Sequence, residues 1–421
     1  MTDNPALTFG LSMALGMLAQ AIARRIHIPG IVILLAAGLL FGPDGLNWIQ
    51  PDSLGSALHI IVGFAVAVIL FEGGMNLRIS RIKREQLAIQ GLITISAFIT
   101  LVGGTLSTLF FLDWDFRTSI LFGTLIIVTG PTVISPLLKR IRIHHGVSTI
   151  LEAEGILLDA IGAIVAVVAL EIAISPSGLS LLKGFYHIIT RLGIGTLFGV
   201  TGGALLTLLF RIRRLVPEGL ENVFILSWVF ALFQLSNTLS PESGIAAVTI
   251  AGMTIGNSKT YIHRELMEFK EQLTVLMIGM LFILLAADVR LSHIYNLGIN
   301  GVFTVLFLMI IIRPLAVFAG TARSKLEKKH KILLAWIAPR GIVAAAVASL
   351  FVFELNLHGY DGSQLRALVF LLITMTVLSA GMTGGWVAAI LNLKRKSEIG
   401  WIILGAHEVA RLLARLLKQD E

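Results

Sequence analysis

The 421-residue sequence contains no cysteine. That absence excludes disulfides, thiolate metal sites and thiol nucleophiles, and it leaves the redox compartment unreadable. Charge is almost as scarce. Asp, Glu, Lys and Arg make up 14% of the residues, where a soluble domain carries about a quarter. None of the ten histidines has zincin spacing, and neither a nucleophile elbow nor a Walker-type loop occurs. The chain is therefore not expected to be an enzyme. No basic n-region or small-residue cleavage site accompanies the first apolar stretch, which begins at Pro5, so no cleavable signal is expected.

What the chain has is apolar sequence. Hydrophobic residues account for 56% of it, and the mean hydropathy is +0.88. The apolar runs are continuous rather than alternating, and most exceed the length of about 18 residues that marks a membrane helix, which excludes a β-barrel. The sequence predicts an all-α polytopic membrane protein of about thirteen spans. They lie at roughly 5–26, 28–42, 54–73, 86–112, 117–138, 147–174, 184–210, 219–239, 242–257, 266–288, 294–320, 331–352 and 363–391. The second and ninth are short enough to be tilted or partly buried in protein.

The net charge of +8 does not imply a nucleic-acid partner, because its distribution follows the membrane. Basic residues cluster in alternate connections: Arg24 and Arg25, Arg78 to Arg84, Lys139 to Arg142, Arg211 to Arg214, Lys259 to Lys270, Arg323 to Lys331, and the tail from Lys394. The opposite connections hold only Arg117, Lys183, Arg290 and Arg366. By the positive-inside rule the N-terminus is outside and the C-terminus cytoplasmic, in a cell (inner) membrane. Anionic lipid is the natural counter-surface for the basic loops.

Two spans are interrupted by polar, proline-bearing segments. Span 5 contains Val128-Thr129-Gly130-Pro131-Thr132, and span 12 contains Ala338-Pro339-Arg340-Gly341. Proline removes a backbone donor and glycine loosens the same place. Unpaired backbone at membrane depth is tolerated only where it is buried in protein or lines a wet cavity. The breaks lie seven spans apart, and that odd separation gives them opposite orientations, as an inverted repeat requires. Half-helix ends meeting near the midplane offer carbonyls to cations and N–H groups to anions.

Span 6 carries Glu152, Glu154 and Asp159. An acid at the centre of a membrane helix costs about 2.5–3.5 kcal/mol on insertion scales, so Asp159 is a candidate for holding an ion, a proton or both in turn. Glu154 lies about 140° round the helix from Asp159 and needs its own partner. Arg340, the arginine within a break, is assigned to it as a structural ion pair pinning span 6 to span 12. Thr129 can add a hydroxyl or a freed carbonyl to an alkali-cation site at Asp159, with Ser135 the weaker candidate. Glu72, at the cytoplasmic end of span 3, is either solvated at the interface or lines a cytoplasmic funnel. Arg313, beside Pro314, is read as a snorkelling arginine at a kink. Glu171, Glu242, Asp288 and Glu354 fall near outer helix ends and are read as solvated. Gly195, Gly199 and Gly203, four residues apart, form a close-packing stripe.

Five segments lie in a familiar order: Phe71-Glu72-Gly73-Gly74-Met75-Asn76-Leu77, Thr129-Gly130-Pro131-Thr132, Glu154-Gly155-Ile156-Leu157-Leu158-Asp159, Glu242-Ser243-Gly244-Ile245-Ala246 and Pro339-Arg340-Gly341. Together they resemble the monovalent cation–proton antiporter family, in its NhaP-like sodium(potassium)/proton exchanger branch, over roughly residues 5–391. The resemblance implies a thirteen-span antiporter fold, usually homodimeric. A mobile core (about 86–174 and 294–391) would rock against dimerisation helices (about 5–73 and 219–288) in an elevator-like cycle. It also implies that Asp159 is the exchange carboxylate, Thr129 a ligand at the crossing, and Glu154 with Arg340 the stabilising pair. Family members commonly have Asn-Asp where this chain has Leu158-Asp159, and many have an acid where it has Gly130, so the site is sparser. One titrating acid favours electroneutral exchange of Na+ or K+ for H+.

Residues 394–421 form a tail. Its Ile399–Leu404 run, Gly405 and the amphipathic stretch after it look similar to the opening of an RCK/TrkA-N regulatory domain. His407 and Ala410 stand at the second and third glycine positions, and one strand–helix unit cannot form a pocket. A truncated regulatory domain is expected. This chain is then expected to hold no cofactor, and a nucleotide would bind only on the missing part. The alternative function is a cation channel or uniporter gated by that domain, but no filter loop is visible. An intramembrane enzyme lacks a second acid spaced to work with Asp159.

Overall fold

A bilayer offers backbone N–H and C=O groups no water, so each apolar run closes its hydrogen bonds on itself as helix. The structure, a computed structural model, describes residues 4–26, 29–130, 133–134, 137–138, 141, 143, 145–174, 180–212, 220–258, 264–394, 407–408 and 410. Helices follow the apolar runs in chain order: α1 (Pro5–Ile26), α2 (Gly30–Phe41), α3 (Ser56–Asn76), the short polar α4 (Ile79–Arg84) and α5 (Gln86–Phe111). There follow α6 (Phe116–Leu125), α7 (His145–Ile174), α8 (Ser180–Arg211), α9 (Glu221–Leu239), α10 (Ser243–Gly256) and α11 (Arg264–Ala287). The last are α12 (Leu291–Asn296), α13 (Gly298–Gly320), α14 (Lys328–Trp336), α15 (Ile342–Leu357) and α16 (Ser363–Ile390). Among the described residues, eight helices are long and apolar enough to cross a membrane, and four shorter apolar helices accompany them. Exposed apolar side chains such as Phe98, Phe110, Leu197 and Ile310 face outward, as a lipid-contacting surface requires. The only β feature among the described residues is one bridge between Ile143 and Lys394. Apart from His407, Glu408 and Ala410, the tail from 395, with its expected strand and helix, lies outside the described residues.

Both interrupted spans break where the sequence places the break. Helix α6 ends at Leu125 ahead of irregular backbone through Gly130, and the segment 337–341 separates α14 from α15. Pro131, Thr132, Ser135 and Pro136 lie outside the described residues. The breaks meet glycine against glycine. A methyl group built on Gly130 would run into the Cα of Gly341, and one built on Gly341 would run into the Cα of Gly130. The Gly130 N–H donates to the Pro339 carbonyl at 3.3 Å, tying the two segments together. An acid at position 130 is therefore incompatible with this crossing.

That contact predicts a graded result. Gly130→Ala or Gly341→Ala is expected to cost about 3 kcal/mol or more, the upper range for overpacking where neither backbone can give way. Gly193→Ala on α8, where nothing lies within 4 Å of the added methyl, should leave stability unchanged. Thermal melting of the purified variants checks the contrast.

The inverted repeat extends beyond the breaks. Helices α5 and α13, each preceding a broken span, both contain one π-turn, at Leu92–Ser96 and Leu308–Ile312. In α13 Pro314 has no N–H to donate to the Ile310 carbonyl of the preceding turn, and its ring crowds that carbonyl; α5 carries its π-turn without a proline. The two helices approach closely where Gly91 meets Gly320.

A second set of close contacts lies elsewhere. The glycine stripe Gly195, Gly199 and Gly203 seats α8 on the backbone of α10, as its spacing predicts. Helix α10 packs in turn on α3, where Gly252 faces Phe71 and Gly256 faces Met75. Gly16 on α1 meets Gly279 on α11.

Candidate functional site

Helix α7 runs past the crossing. Gly162 lets it come against Val128 at the end of the first half of span 5, so Asp159, one turn earlier, sits beside the break. Its side chain is completely buried. Neither Oδ1 nor Oδ2 has a hydrogen-bond partner among the described residues. A buried carboxylate without a partner is the costliest arrangement a polar group can have, because the charged form loses its hydration and gains nothing. It becomes tolerable when a proton neutralises it or a cation sits on it.

The other buried charges are matched. Arg313, on α13, donates from Nη1 to Glu154 Oε1 at 2.6 Å and from Nη2 to Glu154 Oε2 at 3.0 Å. Its Nη2 also donates to the Leu334 carbonyl at 3.3 Å. This overturns two expectations at once. Glu154 does not pair with Arg340, and Arg313 does not snorkel; it is 6% exposed and forms a bidentate fork on a carboxylate that is 1% exposed. The reason is geometric. The side chain of Arg340 has a nearer acceptor in the facing break, donating from Nη1 to the carbonyls of Ile127 at 3.4 Å and Val128 at 3.3 Å. Those carbonyls end a half-helix, where the peptide dipoles place partial negative charge that favours a guanidinium. Arg340 thus caps the first half of span 5, and its own N–H donates to Thr376 Oγ1 at 3.2 Å.

Thr129 is buried beside the crossing, and its hydroxyl donates to the Glu154 carbonyl at 3.5 Å. It makes no hydrogen bond to Asp159. Its oxygen keeps lone pairs that can accept. Leu158 and Gly155, also buried, contribute no side-chain oxygen. Pro339 and Gly341 are buried and form the second half of the crossing. Pro131 and Ser135 lie outside the described residues.

Glu72 is half-buried near the end of α3. The adjoining Gly73 packs against Ile156 of α7, so this end of α3 lies against the helix that carries Asp159. Two outer acids form ion pairs, and only the second is withdrawn from water: Glu171 is 42% exposed, Asp288 9%. Glu171 accepts from Arg191 at 2.5 Å and faces His187 at 3.4 Å. Asp288, 9% exposed, pairs with Arg366 and accepts from Ser349 Oγ at 3.0 Å. Helix ends that touch other helix ends, rather than water, are the signal that a single-span reading misses. No cluster of His, Asp and Glu suited to a metal ion occurs among the described residues.

Known proteins resemble the chain over most of its length. The sequence profile of the family described as "Sodium/hydrogen exchanger, transmembrane" matches residues 10–393. The chain is 30% identical over 354 residues to Na(+)/H(+) antiporter 1 of Methanocaldococcus jannaschii, covering 80% of this chain and 81% of that one. It is 29% identical over 378 residues to the K(+)/H(+) antiporter NhaP2 of Shewanella oneidensis, covering 88% of this chain but 64% of that longer protein. The solved structure of the sodium proton antiporter MjNhaP1 from Methanocaldococcus jannaschii at pH 8 superposes with a TM-score of 0.79 at 26% identity. That match covers 91% of this chain and 97% of the other.

Proposed function

The chain belongs to the sodium/hydrogen exchanger transmembrane family, and from that premise we propose that it is a secondary active transporter exchanging a monovalent cation, Na+ or K+, for H+. The observation that carries the proposal is Asp159, a fully buried carboxylate whose two oxygens have no partner among the described residues. Glu154 is neutralised by Arg313, and Arg340 by half-helix carbonyls. Asp159 is left as the group whose charge the cargo must balance. One carboxylate holds a proton or an alkali cation, not both, and this competition couples the two fluxes in one-for-one, electroneutral exchange. Thr129 supplies a hydroxyl to the cation, and with Leu158 and Gly155 beside the acid, water fills the remaining coordination positions. Such a sparse site discriminates weakly between Na+ and K+; relatives named for either cation are consistent with that.

Alternating access follows from the two packed sets of helices. Helices α5 to α7 and α13 to α16 form a moving core of crossed half-helices. Helices α1 to α3 and α9 to α11 form the scaffold through which two copies pair as a homodimer, and the glycine stripe of α8 seats that helix on the scaffold at α10. About thirteen crossings place the N-terminus outside and the basic loops in the cytoplasm of a cell (inner) membrane. Glu72 lines the cytoplasmic approach.

Reconstituted vesicles provide the test. An outward Na+ or K+ gradient should drive proton uptake that persists when the membrane potential is clamped at zero. Cation current without proton movement would overturn the proposal and favour a channel.

A further inference from the structure

The ion pairs at the outer helix ends cross between the two packed sets of helices. Asp288, just beyond the end of α11, pairs with Arg366 in the first turn of α16 and accepts from Ser349 of α15. One partner belongs to the scaffold and two belong to the core. Arg191 of α8 pairs with Glu171, twelve residues after Asp159 on the same helix α7. Here the scaffold holds the outer end of the helix that carries the exchange carboxylate. By contrast, Arg313 pairs with Glu154 within the core, and Arg290 pairs with Asp44 and Asp52 within the scaffold. Both bridges lie at the face opposite the basic loops.

We propose that Arg366 and Arg191 are positioning residues for the exchange: their ion pairs latch the core to the scaffold at the outer face and keep Asp159 shut off from that side. The inference rests on the antiport proposal above, and specifically on its division into core and scaffold. Asp288 and Arg366 are nearly buried, at 9% and 13% side-chain exposure, so the pair is worth more than a solvated surface bridge. Each must part for the core to open outward. The latch thereby sets the population of the outward-open state without touching the cargo.

Arg191 has somewhere to go when its pair opens. Its Nη1 is buried without a partner among the described residues. Glu242, at the start of α10, lies within electrostatic reach of Arg191 and Glu171. It lines a cavity of about 270 Å³ between α3, α9, α10 and α15. Helices α8 and α10 are locked together by the glycine stripe, so Arg191 and Glu242 stay neighbours throughout the cycle. When α7 withdraws Glu171, Arg191 keeps a carboxylate partner in Glu242, which lowers the cost of opening.

The absence of native cysteine makes the latch directly readable. Ala163 lies one turn beyond Asp159 on the same face of α7 and is fully buried. In an Ala163→Cys background, labelling by a membrane-impermeant cationic thiol reagent from the outer face reports outward opening. Asp288→Asn and Glu171→Gln should each raise the labelling rate about tenfold, and the swap Asp288→Arg with Arg366→Asp should return it to the starting rate. Unchanged labelling in both single variants would overturn the latch. So would a rise that the swapped pair does not reverse, since that marks general loosening. Labelling requires no flux, so this failure is distinct from that of the antiport proposal, which the exchange assay reads on the unmodified chain.

Discussion

Asp159→Asn is expected to abolish cation–proton exchange in reconstituted vesicles while leaving the protein folded. Asn has the same size and fits the same pocket, but it can neither release a proton nor balance a cation. Because Asp159 makes no hydrogen bond to the described residues, the substitution breaks no structural contact, and melting in the absence of cargo should shift little. The sharper signature is linkage. A cation that binds the folded chain stabilises it as its concentration passes the dissociation constant, by about 2.7 kcal/mol at a hundredfold excess, and so raises its melting temperature. The unmodified protein should show this rise with Na+ or K+, and Asp159→Asn should not. A variant that still gains stability from Na+ would place the cation elsewhere.

The second large effect concerns the pair that the structure reassigns. Arg313→Met should destabilise the fold by about 3–5 kcal/mol, the cost of leaving a buried carboxylate without its counter-ion. Glu154→Gln should be milder, since it leaves a guanidinium that still reaches the Leu334 carbonyl. Combining Arg313→Met with Glu154→Gln should recover much of the loss, because the buried charge goes with its partner. Combining Glu154→Gln with Arg340→Met should show no such recovery, since Arg340 spends its donors on the Ile127 and Val128 carbonyls. Denaturant or thermal melts of the four variants decide between the two arginines as partner of Glu154.

Much of the fold was legible because the bilayer makes few demands and makes them strongly. Continuous apolar runs must become helices, so the helix order emerges from hydropathy. Proline and glycine inside two such runs mark the breaks at 126–130 and 337–341, and an acid in a third run marks Asp159. The glycine spacing on α8 also reads through to contact, because four-residue spacing fixes one helix face.

Pairing between helices was less legible. Arg313 and Glu154 stand 159 positions apart, and no local pattern announces their contact. The arginine inside a break looked the better partner, yet the same break supplies the carbonyls that occupy it. The cue for Arg313 was its place inside a span, about 10 Å short of the end of α13 at 1.5 Å per residue. Asp288 was misread for the converse reason. Asp288 and Glu171 lie near helix ends, but in a bundle those ends abut other helices, and opposite charges there become bridges. The π-turns left no sequence trace in α5, and only Pro314 hints at the one in α13.

The central claim is that one carboxylate holds either a proton or a cation. Its most direct test is the rate of exchange in vesicles as a function of cation concentration at several pH values, with Na+ and K+ in parallel. Competition at Asp159 predicts that the apparent KM for the cation rises as pH falls, while the rate at saturating cation stays constant. A KM that is indifferent to pH, with a saturating rate that falls as protons increase, would mean that proton and cation bind at separate groups and would contradict the account.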